Sequence, residues 1–559
     1  MRQTIGRICL ALAVSLSPGP VSPGRAAAAG QHEHYEGAGS IPAEVLQRPV
    51  SLRTGIGSTH EKVTTSSKDA QALDAQAFYD QGLAYLHSYV WIEAARSFNQ
   101  SLRLDPRLAM AYVGLSRAYS GLGSSILAVE AAQKAASLAQ NSSPLEQLRI
   151  QLRTIQLDAM VNQSDAAKHT AYKKALDDAL ARYPDNVELW LLRGNAEEPS
   201  PGGTGQRGGE SSISYYAKAL ALSPDNFAAH HYLTHSLENA GRIQEALQHG
   251  EAYARLAPAV PHAHHMYGHD LRRVGRIADA IAEFRKADEL ENAYYKAENI
   301  LPEYDWHHEH NLDLLSTSYQ YIGQMKTAEQ LMRKSFELPS AQENLEFNKK
   351  EWPAFLLARG RAKEALAAAN MLAASRSDPV SAIGHIMASH SYMSMNDLPS
   401  ASNEAKSALT LLRTMGKAAA PLGVYMQVLQ GEFFLRTGQM DNGRNLLKEV
   451  ERKVRAGPGP DAWTQALFAL EAIARVARES GDWQLAEYTA NQMAEHDSAY
   501  AGSHYALALA AQHKGDGATA AREFALAVKY WRDADPDLPE LIDSRRRSSE
   551  YRLPSGGYL

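Results

Sequence analysis

Residues 75–108 read AQAFYDQGLAYLHSYVWIEAARSFNQSLRLDPRL, and residues 109–142 read AMAYVGLSRAYSGLGSSILAVEAAQKAASLAQNS. The two segments begin 34 residues apart, and both are rich in Ala, Leu, Glu and Gln, which favour helix. In the first segment Gly82 takes position 8, Phe98 position 24 and Pro106 position 32. A period of this length is typical of tandem helical hairpins, so the stretch predicts an all-α repeat protein.

The same frame returns in segments that begin at Phe227, Pro261 and Glu309, the last after an insertion of fourteen residues, and again near Gly481 and Gly515. This pattern resembles the tetratricopeptide repeat, which has small residues at positions 8 and 20 and aromatic residues at positions 4, 11 and 24. The resemblance implies a right-handed superhelical solenoid of helix-turn-helix units, and the spacing allows roughly nine to eleven of them.

Composition excludes several classes of protein. The 559 residues include 63 acidic and 57 basic side chains, a formal charge of −6, so a nucleic-acid partner is not expected. Hydrophobic residues make up 45% and charged residues 21%, which is ordinary for a globular protein. Cys9 is the only cysteine, which excludes a disulfide framework and a thiolate metal site.

The first residues have the pattern of a secretory signal peptide. Arg2 and Arg7 precede an apolar run over residues 8–16, and four alanines follow at residues 26–29. The apolar run is far shorter than the roughly 20 residues of a membrane span. We therefore expect an exported protein in the periplasm, without a membrane span. The alternative is an alanine-rich N-terminus that is not a targeting signal.

The remaining chain divides by composition. We expect a signal peptide (1–29), an extended N-terminal segment (30–70), N-terminal helical repeats (71–197), a Gly/Pro/Ser-rich loop (198–212), central repeats (213–340), C-terminal repeats (341–535) and a tail (536–559). The glycines of residues 198–212 do not make a phosphate-binding loop, because no Gly-Lys-Ser/Thr follows and no strand precedes. A flexible linker is the expectation there.

Histidines recur in register in two neighbouring repeats. The helices FAAHHYLTHSLENAG (227–241) and PHAHHMYGHDLRRVG (261–275) both carry histidine at positions 5 and 9, which are His231, His235, His265 and His269. The spacing of four residues places each pair on one helix face. First helices of adjacent repeats pack about 8–10 Å apart, so the four imidazoles could meet.

Such a set has the chemistry of a metal site. Imidazoles from two helices, with a fifth from His310, suit Zn, Cu or Fe, although the identity of the metal is open. Glu238 and Asp313 could be ligands, could orient an imidazole, or could act as a general base. The alternatives are a metal-free polar groove and purely structural histidines.

In tetratricopeptide proteins, positions 2, 5, 9, 12 and 13 of the first helix line the concave groove. By this resemblance His262, Arg272 and Arg273 are groove-binding candidates. Arg272 and Arg273 could bind a carboxylate or phosphate, with a solvated face as the alternative. His230 and His264, at position 4, should instead pack against the second helix of their own hairpin.

Segment 55–98 also resembles the start of a bacterial exported tetratricopeptide subfamily with a Gly-x-Gly-x-x-His element and paired His-x-x-x-His elements. The matching residues here are His60, the two pairs above, and His310 with Asn311. Trp91 stands where that subfamily often has histidine, which argues against a ligand from the first repeat. His60 could add a ligand, with a solvated position as the alternative.

Three functions follow from these expectations. The first is an exported binding protein that holds a transition metal and captures a peptide, protein or small ligand in its groove. The second is a metal-dependent hydrolase or oxidase at the same site. The third is a metal-free interaction scaffold. Oligomeric state cannot be read from the sequence.

Overall fold

A computed structural model describes residues 41–162, 165–341, 343–457 and 462–550. The described chain forms two compact units, one before and one after the boundary between Leu301 and Pro302. The expected signal peptide (1–29) and the end of the expected tail, from residue 551, lie outside the described residues. No helix in the described ranges is both long and apolar enough to cross a membrane.

The N-terminal unit is built of six consecutive helical hairpins after a short leading helix, among its described residues. Its helices are α1 (Ala43–Leu46), α2 (Asp69–His87), α3 (Trp91–Leu104), α4 (Ala109–Gly121), α5 (Ser125–Leu138), α6 (Pro144–Val161), α7 (Ala166–Arg182), α8 (Val187–Asn195), α9 (Glu210–Leu222), α10 (Phe227–Asn239), α11 (Ile243–Leu256), α12 (Pro261–Arg273) and α13 (Ile277–Glu298).

Small residues let the paired helices approach closely. The ring of Phe98 on α3 is fully buried and lies against two glycines, Gly82 on α2 and Gly114 on α4. A Cβ atom at Gly82 would come within 2.5 Å of that ring, and one at Gly114 within 2.4 Å. The glycines therefore make room for the aromatic side chain that fills the gap between successive hairpins.

The turn inside a hairpin needs a left-handed residue at repeat position 15. Gly241 and Gly275 take it with φ of +75° and +80°, where a glycine carries no steric penalty. At the other end of α10, the Asn226 side chain accepts a hydrogen bond from the amide of Ala229 and caps the helix that carries the first histidine pair.

Residues 41–68, which we call the N-terminal strap, run largely without regular structure over the hairpins of their unit. Its buried apolar side chains are Val45, Leu46, Ile56 and Val63. The Thr64 amide donates to Glu146 at 2.7 Å, and the Gly55 carbonyl accepts from the Ala259 amide at 2.7 Å. The strap therefore joins hairpins that are distant in sequence.

The Gly/Pro/Ser-rich loop is attached to the helices around it, which differs from the flexible linker expected from composition. Pro201, Gly205 and Gly208 are buried. Asn239, at the end of α10, donates to the Gly208 carbonyl at 2.7 Å, and Gln156 on α6 donates to the Pro201 carbonyl at 3.1 Å. The glycines here permit close packing.

The C-terminal unit contains six more hairpins and a closing helix among its described residues, so the repeats outnumber the expected nine to eleven because degenerate units also form hairpins. Its helices are α14 (Trp306–Tyr321), α15 (Met325–Glu337), α16 (Glu351–Ala358), α17 (Ala362–Ala373), α18 (Asp378–Ser394), α19 (Leu398–Met415), α20 (Gly423–Arg436), α21 (Met440–Arg455), α22 (Ala462–Glu479), α23 (Trp483–His496), α24 (Ala501–Lys514), α25 (Gly517–Tyr530) and α26 (Pro539–Glu550).

The insertion before the third histidine-bearing repeat is mostly helical. Helix α13 continues to Glu298 and ends at Asn299 in a left-handed conformation. Helix α14 begins at Trp306, three residues before the repeat start inferred from the sequence. The all-α, tetratricopeptide-type architecture predicted from the sequence is confirmed.

Candidate metal centre

Helices α10 and α12 bring five histidines together inside the N-terminal unit. The exposed fraction is 0–3% for each of them: His231, His235, His262, His265 and His269. Within each pair at positions 5 and 9 the rings are in contact, at 5.0 Å for His231 and His235 and 4.4 Å for His265 and His269. His262, expected only to line the groove, lies between the two pairs.

The five rings form a continuous array. His262 lies 4.8 Å from His231 and 5.8 Å from His235, measured between ring centroids. On its other side His262 lies 5.7 Å from His265, and His265 lies 4.4 Å from His269. Each imidazole thus has another within a few ångströms, and His262 connects the pair on α10 with the pair on α12.

Three of these side chains can share one ion. His231, His235 and His262 each offer a ring nitrogen, and the three nitrogens lie within 4.8 Å of one another. The Nε2 atoms of His231 and His262 are 3.0 Å apart. Two nitrogens bound to one ion at about 2.0–2.1 Å lie roughly 2.9–3.4 Å apart for right-angled to tetrahedral geometry. The separation therefore fits shared coordination.

A backbone carbonyl sets the orientation of His231. Its Nδ1 lies 2.6 Å from the carbonyl oxygen of His87, so Nδ1 carries the proton and donates it. The Nε2 lone pair then points toward His262. Metal-binding histidines commonly have one ring nitrogen held in this way while the other binds the ion.

Tyr89 covers the cluster in an unusual backbone conformation. Its φ is +59°, and it occupies repeat position 15, where Gly123, Gly241 and Gly275 stand in other hairpins of this unit. Its ring lies 4.6 Å from that of His231 and 5.1 Å from that of His262. Its hydroxyl donates to the Thr204 carbonyl at 3.0 Å. A left-handed tyrosine costs about 1–2 kcal/mol, which these contacts offset.

A buried ion network lies behind His231. His87 Nε2 lies 2.6 Å from Glu188, and His87 Nδ1 lies 2.8 Å from the Tyr232 hydroxyl. Burial alone would raise the pKa of Glu188, but His87, Arg149 and Arg117 together lower the pKa of this carboxyl below its ordinary value. The ionised Glu188 therefore fixes the His87 segment, whose carbonyl holds His231.

Glu238 lies beside the array, as expected from its position one turn after His235. Its carboxylate oxygens are 3.9 Å from His235 Nδ1 and 3.5 Å from His269 Nδ1. Asp270, which the sequence analysis missed, faces Glu238. Burial and the charge of Glu238 raise the pKa of Asp270 well above its ordinary value. The pair can hold one proton between them.

A glycine makes room for Asp270. Gly250 takes repeat position 24, where Phe98 and Phe284 stand in other hairpins. A Cβ atom there would lie 2.9 Å from an Asp270 carboxyl oxygen. The missing aromatic residue is thus the sequence signal for this carboxyl, because a glycine at that position leaves a space that the hairpin must fill otherwise.

The other candidates have different surroundings. Arg272 is 1% exposed and packs over the ring of Phe284, so it is not on a solvated face. Arg273 is partly exposed and lies 3.5 Å from the Glu238 carbonyl. His60 is 67% exposed at its side chain and bonds to Asp80 at 2.7 Å, which is the solvated alternative.

His310 and Asp313 belong to helix α14 of the C-terminal unit. The His310 ring stacks on that of Trp306 at 6.3 Å, and Asn348 lies 3.3 Å from its Nδ1. Asp313 is buried. His307 is also buried, which lowers its pKa to about 4.

Histidines at position 4 serve the hairpins themselves, as predicted. His264 bonds to Glu283 on the second helix of its hairpin at 2.6 Å and to the Pro258 carbonyl at 3.0 Å. His230 bonds in the same way to His249 and to the Pro224 carbonyl. These neighbours of the cluster histidines are therefore structural.

No family model matches the chain, and no curated protein matches its sequence. Among solved structures it is similar to the human IFIT1 dimer with PPP-AAAA, with a TM-score of 0.38, 12% identity, and coverage of 76% of this chain and 91% of that one. It is also similar to yeast Tom70, with a TM-score of 0.30, 14% identity, and coverage of 85% of this chain and 95% of that one. A tetratricopeptide repeat protein from Parabacteroides merdae is similar with a TM-score of 0.34, 14% identity, and coverage of 50% of this chain and 99% of that one.

These likenesses extend over long stretches at low identity, and the resemblance to an exported bacterial subfamily stays a prediction. Successive packed helical pairs in both units, together with the 34-residue frame that opens at Ala75, give this chain the tetratricopeptide-repeat fold.

Proposed function

We propose that the protein is an exported binding protein that holds one transition-metal ion between His231, His235 and His262. The convergence of three imidazole nitrogens within 4.8 Å of one another carries this proposal. The hydrogen bond from His231 to the His87 carbonyl supports it, because it leaves Nε2 as the binding atom. Export is proposed from the pattern of residues 1–29.

The donor set favours Zn, Cu or Fe. All three donors are imidazole nitrogens, which suit these ions better than Mg or Ca. His265 and His269 extend the array beyond the three ligands. They would supply a second position for an ion or a path along which an ion is exchanged.

Burial favours binding over catalysis. Each of the three ligands is at most 3% exposed, and Tyr89 covers their rings. A metal that activates water for an exposed substrate needs an open coordination position. The pair of Glu238 and Asp270 beside His235 and His269 is the observation that favours a metal-dependent enzyme as the second candidate, because it can hold a proton next to the imidazoles.

Metal analysis of the full chain, purified without a histidine tag or chelating resin, tests the proposal. We expect about one ion per chain, and less than about 0.2 would overturn the proposal. The variant His262→Ala should lose the ion, with affinity lower by at least about 10–100-fold. His264→Ala is the matched control, because His264 lies two residues away on the same helix and bonds to Glu283 instead.

Folding must be followed at the same time. Far-ultraviolet circular dichroism should be unchanged in His262→Ala, and His262→Gln gives a second variant of similar size. If both variants bind the ion as the wild type does, His262 is not a ligand. If an ion is bound and His264→Ala loses it too, the site lies elsewhere.

A further inference from the structure

A small cavity, with Tyr232 in its wall, lies in the N-terminal unit. Its volume is about 80 Å³, and helices α4, α6 and α8 and the loop at residues 202–204 line it. Two guanidinium groups, Arg117 and Arg153, form part of its wall, and the indole ring of Trp91 forms another part. None of these residues is among the three proposed metal ligands, although Arg117 also faces Glu188.

Arg153 brings a buried positive charge that has no carboxylate partner. The residue is 5% exposed. It donates to the Ser116 side chain at 2.9 Å, to the Ser116 carbonyl at 2.8 Å, to Ser120 at 2.6 Å and to Gln156 at 2.7 Å. All of these acceptors are neutral, and no carboxylate of the described residues forms an ion pair with Arg153. A buried charge in this state favours an added counter-ion.

Arg117 adds a second charge at the same cavity. Its nearest carboxylate is Glu188, at 3.6 Å, a distance too long for a hydrogen bond. Its buried Nη1 makes no hydrogen bond with the described residues. Glu188 is shared with His87 and with Arg149, which lies 3.5 Å away. One carboxylate therefore faces two arginines and the His87 ring.

The carboxylates in this part of the unit have other partners, and Glu198, buried beside the cavity loop, accepts a hydrogen bond from the Gly205 amide. Arg149 is the partner of Glu61, and Glu188 is divided as described, so the charge of Arg153 has no counterpart. Burial and the like charge of Arg117 lower the pKa of Arg153 to about 9. The charged form of Arg153 is thus destabilised where it stands, and a nearby anion would relieve this.

The glycine loop closes the cavity at short range. A Cβ atom at Gly203 would lie 2.4 Å from the Asn195 carbonyl, and one at Gly202 would lie 3.0 Å from a Met160 carbon. Only glycine fits at residue 203, so the loop backbone itself forms the wall. Sites for drug-sized ligands measure roughly 300–1,000 Å³, so this cavity suits a ligand of a few heavy atoms.

We propose that this cavity binds a small oxyanion, a carboxylate or an inorganic phosphate, between Arg117 and Arg153. Arg117, whose Nη1 makes no hydrogen bond with the described residues, would donate to an oxygen of such a ligand, and Arg153, whose N–H groups are engaged, would contribute its charge. Gln156 and Ser120 supply neutral polar groups at the wall, and Trp91 supplies an apolar face. The site is distinct from the histidine cluster and does not depend on the proposed metal.

Titration of the full chain with sodium phosphate, and separately with sodium acetate, tests the proposal by calorimetry and by thermal unfolding. Sodium chloride at equal ionic strength is the control. Saturable binding of either anion, at one site per chain, is expected, and the preferred anion identifies the source. Binding of neither anion would overturn the proposal.

Variants locate the site. Arg117→Gln should weaken binding about tenfold or more, because a charged hydrogen-bonding partner is lost. Arg153→Gln tests the other wall, but its four hydrogen bonds could be needed for folding, so Arg117→Gln carries the decision. Arg276→Gln is the control at an exposed arginine, 52% exposed and paired with Asp279. Equal binding by Arg117→Gln and the control would overturn the proposal.

The metal site must be separated from this one, because phosphate can bind to metal ions. The titrations are therefore repeated in the His262→Ala variant and in protein treated with a chelator. Binding retained in both supports the cavity, and loss in both assigns the anion to the metal and overturns the proposal. Failure of the metal proposal would leave this result unchanged.

Discussion

The substitution Gly57→Ala tests whether the N-terminal strap is docked as described. Gly57 has φ of +86°, and a Cβ atom there would lie 2.4 Å from the Phe227 ring. Phe227 begins α10 and is fully buried, and its ring stacks on that of Tyr253 at 6.2 Å. The ring cannot move aside without disturbing the hairpin that carries His231, so we expect the strap to yield.

The expected loss in the free energy of strap docking has two contributions. An L-residue at positive φ costs about 1–2 kcal/mol, and forcing a methyl group into a packed site costs about 1–3 kcal/mol more. Gly57→Ala should therefore destabilise docking of the strap by about 2–5 kcal/mol. The strap contributes only part of the unit, so the helices should remain folded while the strap opens.

Hydrogen exchange of strap amides is the assay. The amides of Arg53, Val63 and Thr64 donate to side chains of α2 and α6, at distances of 2.7–3.0 Å. Their protection should fall by about 30-fold or more, the equivalent of 2 kcal/mol, while amides inside the helices exchange as before. Limited proteolysis within residues 41–68 should become faster in parallel.

Gly275→Ala is the matched control. Gly275 has φ of +80°, but a Cβ atom there would meet nothing within 4 Å. It should show only the backbone part, about 1–2 kcal/mol, confined to the turn between α12 and α13. If Gly57→Ala leaves the strap amides as protected as they are in the wild type, the contact between Gly57 and Phe227 is not tight and the reasoning fails.

Three further predictions concern the hairpins. Phe98→Ala should destabilise the N-terminal unit by about 3–5 kcal/mol in urea unfolding, because it empties a fully buried site; a loss below 1 kcal/mol would contradict the packing. Gly250→Ala should cost about 1–3 kcal/mol, since the new methyl group meets the Asp270 carboxyl, and unchanged stability would show that the carboxyl lies elsewhere. Burial and His230 lower the pKa of His249 to about 4 in the fold, so its stabilising contribution is complete above pH 6.5 and falls as the pH drops toward 4. The variant His249→Asn should therefore lose less stability than the wild type as the pH falls from 6.5 to 4. The difference should be below about 1.4 kcal/mol per pH unit, because solvent screens the group. Identical profiles of unfolding free energy against pH would contradict this prediction.

Period and composition were sufficient to predict the hairpins. Helices α10 and α12 begin at Phe227 and Pro261, the starts that the 34-residue frame assigns. The frame also placed His231 and His265 at the same position of adjacent repeats, whose first helices are neighbours. Each of them shares a helix face with the histidine four residues later. The repeat number was less accurate, since degenerate hairpins keep the packing without the signature residues.

The other features of the site could not be predicted, because they depend on contacts between segments far apart in the chain. Tyr89 reaches the histidine cluster from a turn more than a hundred residues earlier, and no periodicity relates the two. Its departure from glycine at position 15 was the available signal. Asp270 was signalled only through Gly250, and the attachment of the loop at Gly208 depends on Asn239, which composition does not reveal.

The strap also sets an order of events during synthesis. Arg48 donates to the carbonyl of Glu298, 250 residues later, at 2.7 Å. The strap is translated before these hairpins, but the surface that receives it is finished only when the sixth hairpin is complete. Contacts of such long separation form slowly because chain entropy must be lost before they are made. The strap residues are therefore translated before the hairpins that they contact but are docked after them.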